Sequence, residues 1–490
     1  LETKIMKRLS GWMLGLVVFC AVGKEATADA ADYLKIVRDY ADALIEQGRD
    51  EYGAQHSPLF AEALDRRTGR LLEGDALQQV AALPFGKWGI RPHDRMISGA
   101  NPQHCQNLYQ ILYALSELTG QSRYAEAADE SLQFFFTHCQ SPATGLLWWG
   151  EHAGWDFRTE QRIDKPAGTT HEFYRPWVLW DRSWQLAPEA CRRFALGLWE
   201  HQIGDHQTGD YSRHAPIDKH GPGSDAPYAR HGGFYIETWA TAYAKTGDKV
   251  FLRAIGSVVD GLERARLHEG GMLLSRNKKT GARTPYDVSL AVSLALAAEQ
   301  VPAELAAKLR AAAAATDKAF ADAHGEQSAG ASQTPPGSGS KKAANSAALW
   351  SNAYGGSPPA GAANVWLLRY RQVPVAAYRA AALKTADAYR SQEIHLSEPV
   401  WPGTLGGVIL LMINAHTLTK DEQYLQAAER FAEQGTKLFF TESSPLPKAS
   451  HQHDHYEAVT NGDTLLMALL KLWQTRQRPD VRVQLLYCDR

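Results

Sequence analysis

Two histidines and one glutamate open the case for chemistry. His152 closes the run Trp148-Trp149-Gly150-Glu151-His152, Glu172 lies in His171-Glu172-Phe173-Tyr174-Arg175-Pro176-Trp177, and His214 ends Tyr211-Ser212-Arg213-His214. A fourth run, Arg230-His231-Gly232-Gly233-Phe234-Tyr235, follows. Each run carries His, Glu or Arg where apolar periodicity breaks, which is where helices end and loops begin. A borderline divalent ion accepts imidazole and carboxylate ligands together. His152, Glu172 and His214, each about one helical hairpin from the next, would supply two imidazoles and one carboxylate and leave positions open for a substrate. Taken singly, each His could equally cap a helix or bond a backbone carbonyl.

Other residues could support such a centre. Arg175 and Arg230 could grip substrate carboxylates as bidentate donors, with His231 and Tyr235 beside them. Trp149, Trp155 and Trp177 could stack on sugar rings or fill a core. His93-Asp94, His104 and Asn107 stand at the entrance to a helix, and Lys87 and Arg91 nearby could contact a ligand. His451, His453 and His455 alternate around Asp454 and suggest a second metal site or an exposed polar loop. Tyr456 is a further rim candidate.

The elements that must position these groups are helices. Ala, Leu, Glu, Gln and Arg recur at spacings of three and four, and strand-like alternation is scarce. The spacing predicts helices over 33–47, 108–118, 124–138, 173–186, 188–203, 232–245, 249–266, 286–299, 302–323, 374–391, 403–418, 421–438 and 459–475. A repeat joins them in pairs. Leu118-Thr119-Gly120-Gln121-Ser122-Arg123-Tyr124, Lys245-Thr246-Gly247-Asp248-Lys249-Val250-Phe251 and Leu418-Thr419-Lys420-Asp421-Glu422-Gln423-Tyr424 are short polar turns between apolar-periodic runs. Gly120 and Gly247 suit the left-handed residue that ends a helix, and Ser122, Asp248 and Thr419 could cap the next one. Such hairpins cannot bury their apolar faces alone, so they stack. The expected fold class is all-α: a toroid of antiparallel helical hairpins, with an open superhelix as the competing architecture.

The bulk properties narrow the setting. The chain has 490 residues and a net charge of −2, and no basic block marks a nucleic-acid partner. Met6-Lys7-Arg8, the apolar run Trp12 to Val22 and the small-residue sites Ala26-Thr27-Ala28 and Ala28-Asp29-Ala30 read as an export signal over residues 1–30, too short for a permanent span. The remaining chain, 31–490, reads as one domain in a periplasmic or secreted protein, monomeric and without a membrane anchor. A Gly/Ser/Pro-rich stretch at 324–364 reads as a surface insertion. Cys105, Cys139, Cys191 and Cys488 could form two disulfides in such a compartment or stay as buried thiols.

His152, Glu172, Arg213 and His214, with Arg directly before the last His, resemble the site of polysaccharide lyase family 2, the periplasmic pectate lyases. The resemblance is carried by residues 148–240. It implies an (α/α)7 barrel, a catalytic metal held by His152, Glu172 and His214, and Arg213 as base. The expected ion is manganese, with nickel, magnesium, zinc and calcium as alternatives. The expected partner is an acidic polysaccharide or oligogalacturonate, cleaved by β-elimination. Two rival readings remain. Helical toroids also host glucuronide hydrolases, which need two positioned carboxyl groups; Asp156, Asp181, Asp205 and Asp287 are available. A non-catalytic exported glycan-binding protein is the other. Sugar epimerases share the architecture but are usually not exported.

Overall fold

The computed structural model describes residues 32–84, 89–163, 171, 173–222, 228–268, 275–276, 283–284, 287–324, 349–350, 352 and 358–490. The expected export signal, Glu172, Lys87 and most of the expected insertion lie outside the described residues. Tyr33–Arg490 form one compact unit.

Fifteen helices are described: α1 (Tyr33–Glu46), α2 (Gly74–Ala81), α3 (Gln106–Thr119), α4 (Ser122–His138), α5 (Trp180–Leu186), α6 (Pro188–Gly197), α7 (Ala229–Thr246), α8 (Lys249–His268), α9 (Val288–Ala298), α10 (Ala303–His324), α11 (Pro359–Gln372), α12 (Ala376–Arg390), α13 (Pro402–Thr419), α14 (Glu422–Phe439) and α15 (Gly462–Gln477). Their packing order makes an (α/α) toroid. The inner ring runs α3, α15, α13, α11, α9, α7 and α5 by neighbour contact, and α4, α6, α8, α10, α12, α14 and α1 pack outside it. α1 rests on both α15 and α3, so the first helix closes the ring against the last.

The two layers differ as burial demands. α13 is buried on almost every face, from Pro402 to Ala415. α14 buries only Tyr424, Leu425, Ala427, Ala428, Phe431, Ala432, Gly435 and Phe439, one stripe at helical spacing. Gly120 and Gly247 end α3 and α7 in the left-handed conformation, with φ of 70° and 71°. The capping residues differ in part from expectation. Asp248 does accept from the Val250 N–H at 3.0 Å. Ser122 is the first residue of α4 and caps nothing, and Asp421 rather than Thr419 caps α14, accepting from the Gln423 N–H at 2.9 Å.

Two segments correct the predicted helices. Residues 173–179 are an irregular, non-helical segment with a bend at 174–175, and only α5 follows. Pro176 brings no N–H, and side chains at the entrance to α3 take the backbone groups instead: Gln103 accepts from Tyr174 N–H at 2.7 Å, while Gln106 accepts from Val178 N–H at 2.6 Å and donates to Pro176 C=O at 2.9 Å. The second is α11, whose first turns fall inside the stretch read as an insertion. Its Gly/Ala-rich start is poor in helix signal, but Asn364 bonds Asn414 and the Gly407 carbonyl across the interface with α13, each at 2.9 Å.

Because short links alternate inner and outer helices, all inner helices run the same way. The loops entering them share one rim, where their N-terminal N–H groups give a positive field. Small antiparallel ladders brace that rim: β1 (Ala63–Leu64) with β9 (Tyr456–Glu457), β2 (Gly99–Ala100) with β3 (Gly154–Asp156) and β4 (Gln161–Ile163), β5 (Ile203–Asp205) with β6 (Asp210–Tyr211), and β7 (Ser275–Arg276) with β8 (Arg283–Thr284). Cys105, Cys139, Cys191 and Cys488 are free and buried, so no disulfide forms among the described residues. Among the described residues, no helix is long and apolar enough to cross a membrane.

Candidate active site

The rim loops before α3, α5 and α7 bring the candidate residues together. A 3-10 turn, Pro92–Asp94, carries His93 and Asp94, and β2 follows it. β2 pairs with β3, which holds the loop ending in Glu151-His152 against that turn. The approach needs glycine: a Cβ on Gly99 would fall 1.7 Å from the Trp155 carbonyl oxygen. His152 and Asp94 are fully buried, and His152 Nδ1 lies 2.6 Å from Asp94 Oδ1. A carboxylate only accepts, so Nδ1 carries the proton and Nε2 is the ring's lone-pair nitrogen. Arg91 donates from Nε to the other Asp94 oxygen and from its terminal nitrogen to Glu151 Oε1 at 2.9 Å. Glu151 Oε2 sits 3.7 Å from His152 Nε2. His93, Asp94 and His152 each offer a ligand atom, all within 4.8 Å of one another.

His214 joins from the loop before α7. Its ring centroid is 6.0 Å from that of His152, and the His93 ring is 6.1 Å from His152 on its own side. His171 N–H donates to the Ala215 carbonyl at 2.5 Å, tying the chain around 171 to the chain around 214. Arg213 stacks on Tyr228, its guanidinium carbon 4.5 Å from the ring centroid. His152, Arg213 and His214 therefore share one patch of rim, and Glu172 lies outside the described residues. Asp94 and Glu151 are the neighbours that sequence reasoning did not single out as partners of His152. Their only sequence signal is position, each next to a histidine.

The supporting candidates divide. Arg230 Nε donates to the Arg490 carbonyl and its terminal nitrogen to the Tyr174 carbonyl, both at 2.9 Å, and it borders a cleft. Burial depresses its pKa; Asp287, Tyr174 and Glu151 oppose that, while Arg213 adds to it. Arg175 is buried and pairs with Asp489 at 3.1 Å, so its charge is spent inside the protein. Trp149 and Trp177 have no face for a sugar: both are buried in an aromatic core with Phe135, Phe136, Phe173 and Trp180. Trp155 is buried and stacks on Trp148. Tyr235 is fully buried, His231 is buried with Nε2 3.1 Å from the Phe173 carbonyl, and Asn107 is buried with its side chain on Thr464 at 3.0 Å. His104 pairs with Glu62 at 2.8 Å.

The second histidine run is structural in its contacts. His455 pairs with Glu457 at 2.8 Å, and Arg95 grips the same carboxylate with two bonds of 2.6 Å. Burial opposes the Glu457 charge, but Arg95 and His455 outweigh it and pull the pKa down to about 2. His453 bonds Ser450, and His451 accepts from the Val400 N–H. Tyr456 is buried against Tyr40. The carboxylates that a hydrolase would need are also in local service. Asp156 bonds Ser98 and its own turn, Asp205 accepts from two turn N–H groups, Asp181 pairs with Lys245, and Asp287 caps α9.

Comparison with known proteins adds a likeness to a family over part of the chain. Residues 74–232 match the family model described as "Periplasmic pectate lyase". A "Pectate disaccharide-lyase" from Dickeya dadantii (strain 3937) is 26% identical over 123 residues, covering 25% of this chain and 22% of that protein. Among solved structures, a polysaccharide lyase aligns with a TM-score of 0.42 at 10% identity, over 90% of this chain and 52% of the other. A D-mannose isomerase aligns with a TM-score of 0.49 at 11% identity, over 92% and 99% of the two chains. The matched segment contains the turn bearing His93 and Asp94, the His152 loop and the Arg213-His214 pair, and through it this chain is similar to the periplasmic pectate lyases.

Proposed function

We propose that this protein is a polysaccharide lyase that cleaves a uronate-containing polymer, with pectate as the substrate, by metal-assisted β-elimination. What supports the reading most is one juxtaposition: the buried His152 imidazole, oriented by Asp94, stands across from His214 with Arg213 adjoining, inside the segment that resembles pectate lyases. The donor set fits a divalent ion. Imidazole nitrogens with a carboxylate at hand suit manganese, nickel or zinc, and the His93, Asp94 and His152 atoms lie close enough to converge on one ion. His152, His214 and Glu172 are the proposed ligands, and Asp94 holds His152 in the required tautomer.

A bound divalent ion would polarise the uronate carboxylate and stabilise the charge that develops on loss of the C5 proton. Arg213 takes that proton. The C5–H electron pair becomes the C4–C5 double bond, the C4–O4 bond breaks with its pair on oxygen, and O4 gains a proton from water. Arg213 must first be neutral. A bound dication beside it would oppose that charge, whereas the Tyr228 ring face beneath the guanidinium, a cation–π contact, holds the group in place. The positive inner-helix ends on this rim draw in the polyanion.

Purified protein incubated with de-esterified pectin and manganese should develop the ultraviolet absorbance of an unsaturated uronate. Chelation should abolish it and manganese should restore it. His214→Ala should lose metal and turnover together, while Arg213→Ala should keep metal and lose at least ~100-fold in turnover. No absorbance on pectate, alginate and glucuronan alike would overturn the reading. Export to the periplasm or beyond is part of the proposal, and a mature N-terminus near residue 30 tests it.

A further inference from the structure

His152 has two ring nitrogens, and the ion proposed for catalysis needs only one of them. Nε2, the lone-pair nitrogen, lies 3.7 Å from Glu151 Oε2. Nδ1 points away from it and lies 2.6 Å from Asp94 Oδ1. A third group stands on that second side. His93 Nε2 is 3.5 Å from the same Asp94 oxygen, and the His93 and His152 ring centroids are 6.1 Å apart. Among the described residues, His93, Asp94 and His152 are the one set of three or more His, Cys, Asp or Glu side chains whose ligand atoms all lie within 4.8 Å of one another.

Two imidazoles and a carboxylate with positions left open are a donor set that zinc takes, at about 2.1 Å from each atom. At a tetrahedral angle such ligand atoms stand about 3.4 Å apart, which His93 and Asp94 already match at 3.5 Å. His152 has to part from Asp94 by roughly 0.8 Å, and one N–H···O bond is exchanged for two coordination bonds. Arg91 holds the other Asp94 oxygen, so Oδ1 is the one that turns to an ion. Arg91 also pairs with Glu151, which makes one cation against two carboxylates and favours an incoming positive charge. The His93 side chain is 30% exposed while Asp94 is fully buried, so an ion enters past His93.

We propose that His93, Asp94 and His152 Nδ1 form a second, inhibitory cation site for zinc, which takes the shared imidazole from the catalytic ion by reversing its tautomer. An ion on Nδ1 needs that nitrogen's lone pair, so the Nδ1 proton leaves to solvent and Nε2 takes one from solvent. The ring stays neutral and no net proton is released. Nε2 then has no lone pair for the catalytic ion, and the two ions exclude one another. The zinc site stands apart from the lyase reading; its effect on turnover rests on that reading.

The first arm of the test is binding. Zinc is titrated calorimetrically into the metal-free full chain carrying His214→Ala, an exposed position whose loss breaks the catalytic ion's site. That variant should still bind one zinc ion. Adding His93→Ala, or His93→Gln should the first not fold, should weaken zinc binding by roughly ten-fold or more. Zinc held equally with and without His93, or no zinc held by His214→Ala, would overturn the site. The second arm is turnover on de-esterified pectin with manganese. Zinc should suppress product formation by the wild type. His93→Ala should need roughly ten-fold more zinc for the same fractional loss, each chain being measured against its own zinc-free rate. Equal sensitivity would place zinc at the catalytic position and overturn the tautomer exchange. The two readings fail separately. No unsaturated product from the wild type, with zinc held by His214→Ala through His93, sinks the lyase alone. Unsaturated product with no zinc binding that depends on His93 sinks the second site alone.

Discussion

Asp94 illustrates how a residue without a role of its own in the reaction can decide whether the reaction has a site. It is fully buried, accepts the His152 Nδ1 proton and is itself held by Arg91. Such a carboxylate fixes the tautomer and angle of a ligating imidazole, and its loss typically costs 10–100-fold in metal affinity. Asp94→Ala should therefore weaken manganese binding by ~10-fold or more, read by metal titration with no substrate present; affinity within about two-fold of wild type would remove Asp94 from the site. Asp463 allows a second residue-scale prediction. Burial raises its carboxyl to about 7, against opposition from Arg175 and with reinforcement from Asp489, and its Oδ1 finds no hydrogen-bond partner. A folded-state pKa above the unfolded value near 4 means that the folded chain holds the extra proton between those limits. Wild-type stability should then fall as pH rises from 4 to 7 and level off above. Asp463→Asn removes that slope, so its thermal midpoint relative to wild type should be higher at pH 8 than at pH 4.5; an equal difference at both pH values refutes the assignment. At this scale the sequence pointed to residues that the fold does bring to one rim, as His152 and His214 are, and was unreadable where a residue matters through contact alone. Nothing in Trp149 or Trp177 as letters separates a sugar platform from core, and burial places them in the core.

At the scale of elements, the hairpin turns were legible because their conformation is local. Gly120 and Gly247 adopt φ near 70° as a helix-ending glycine should. The third turn places Lys420 at φ 62°, a left-handed position that costs a side chain roughly 1 kcal/mol or more. Lys420 is exposed, so little but backbone strain is at stake. Lys420→Gly should raise stability by up to ~1 kcal/mol, and Gly247→Ala should lower it by a similar amount, because a Cβ there meets no atom within 4 Å and only the dihedral is penalised. Chemical denaturation of both variants checks the pair; a destabilised Lys420→Gly would show that the lysine side chain contributes more than the strain. Elements were misread where the decisive partner was distant. The run 173–179 has helical periodicity, but Gln103, in the turn before α3, and Gln106, its first residue, claim its backbone groups. α11 begins in Gly and Ala and looks like linker, but the faces of α9 and α13 require a helix between them.

The whole molecule adds closure, which no window of sequence contains. A linear stack of hairpins has two exposed ends, and each end can fray. Here α1 lies against α15 and α3, burying Val37, Tyr40, Ala41 and Leu44, and Tyr40 meets Tyr456 on the rim at 3.2 Å. The first helix is thus an interior member of the ring in energetic terms. The rim depends on the same seam, because β1 pairs with β9 and Glu62 reaches His104 at the entrance to α3. Weakening the seam should loosen the ring as a unit. Leu44→Ala removes a fully buried side chain from it and should cost about 2–5 kcal/mol. In an open superhelix that loss would appear as early fraying of α1 while the remaining helices keep their protection. In a closed ring, hydrogen exchange should instead rise together in α1, α15 and α3, and metal affinity at the rim should fall with them. Rapid exchange confined to α1, with α15 and α3 as protected as in the wild type, would show that the ring is not energetically closed.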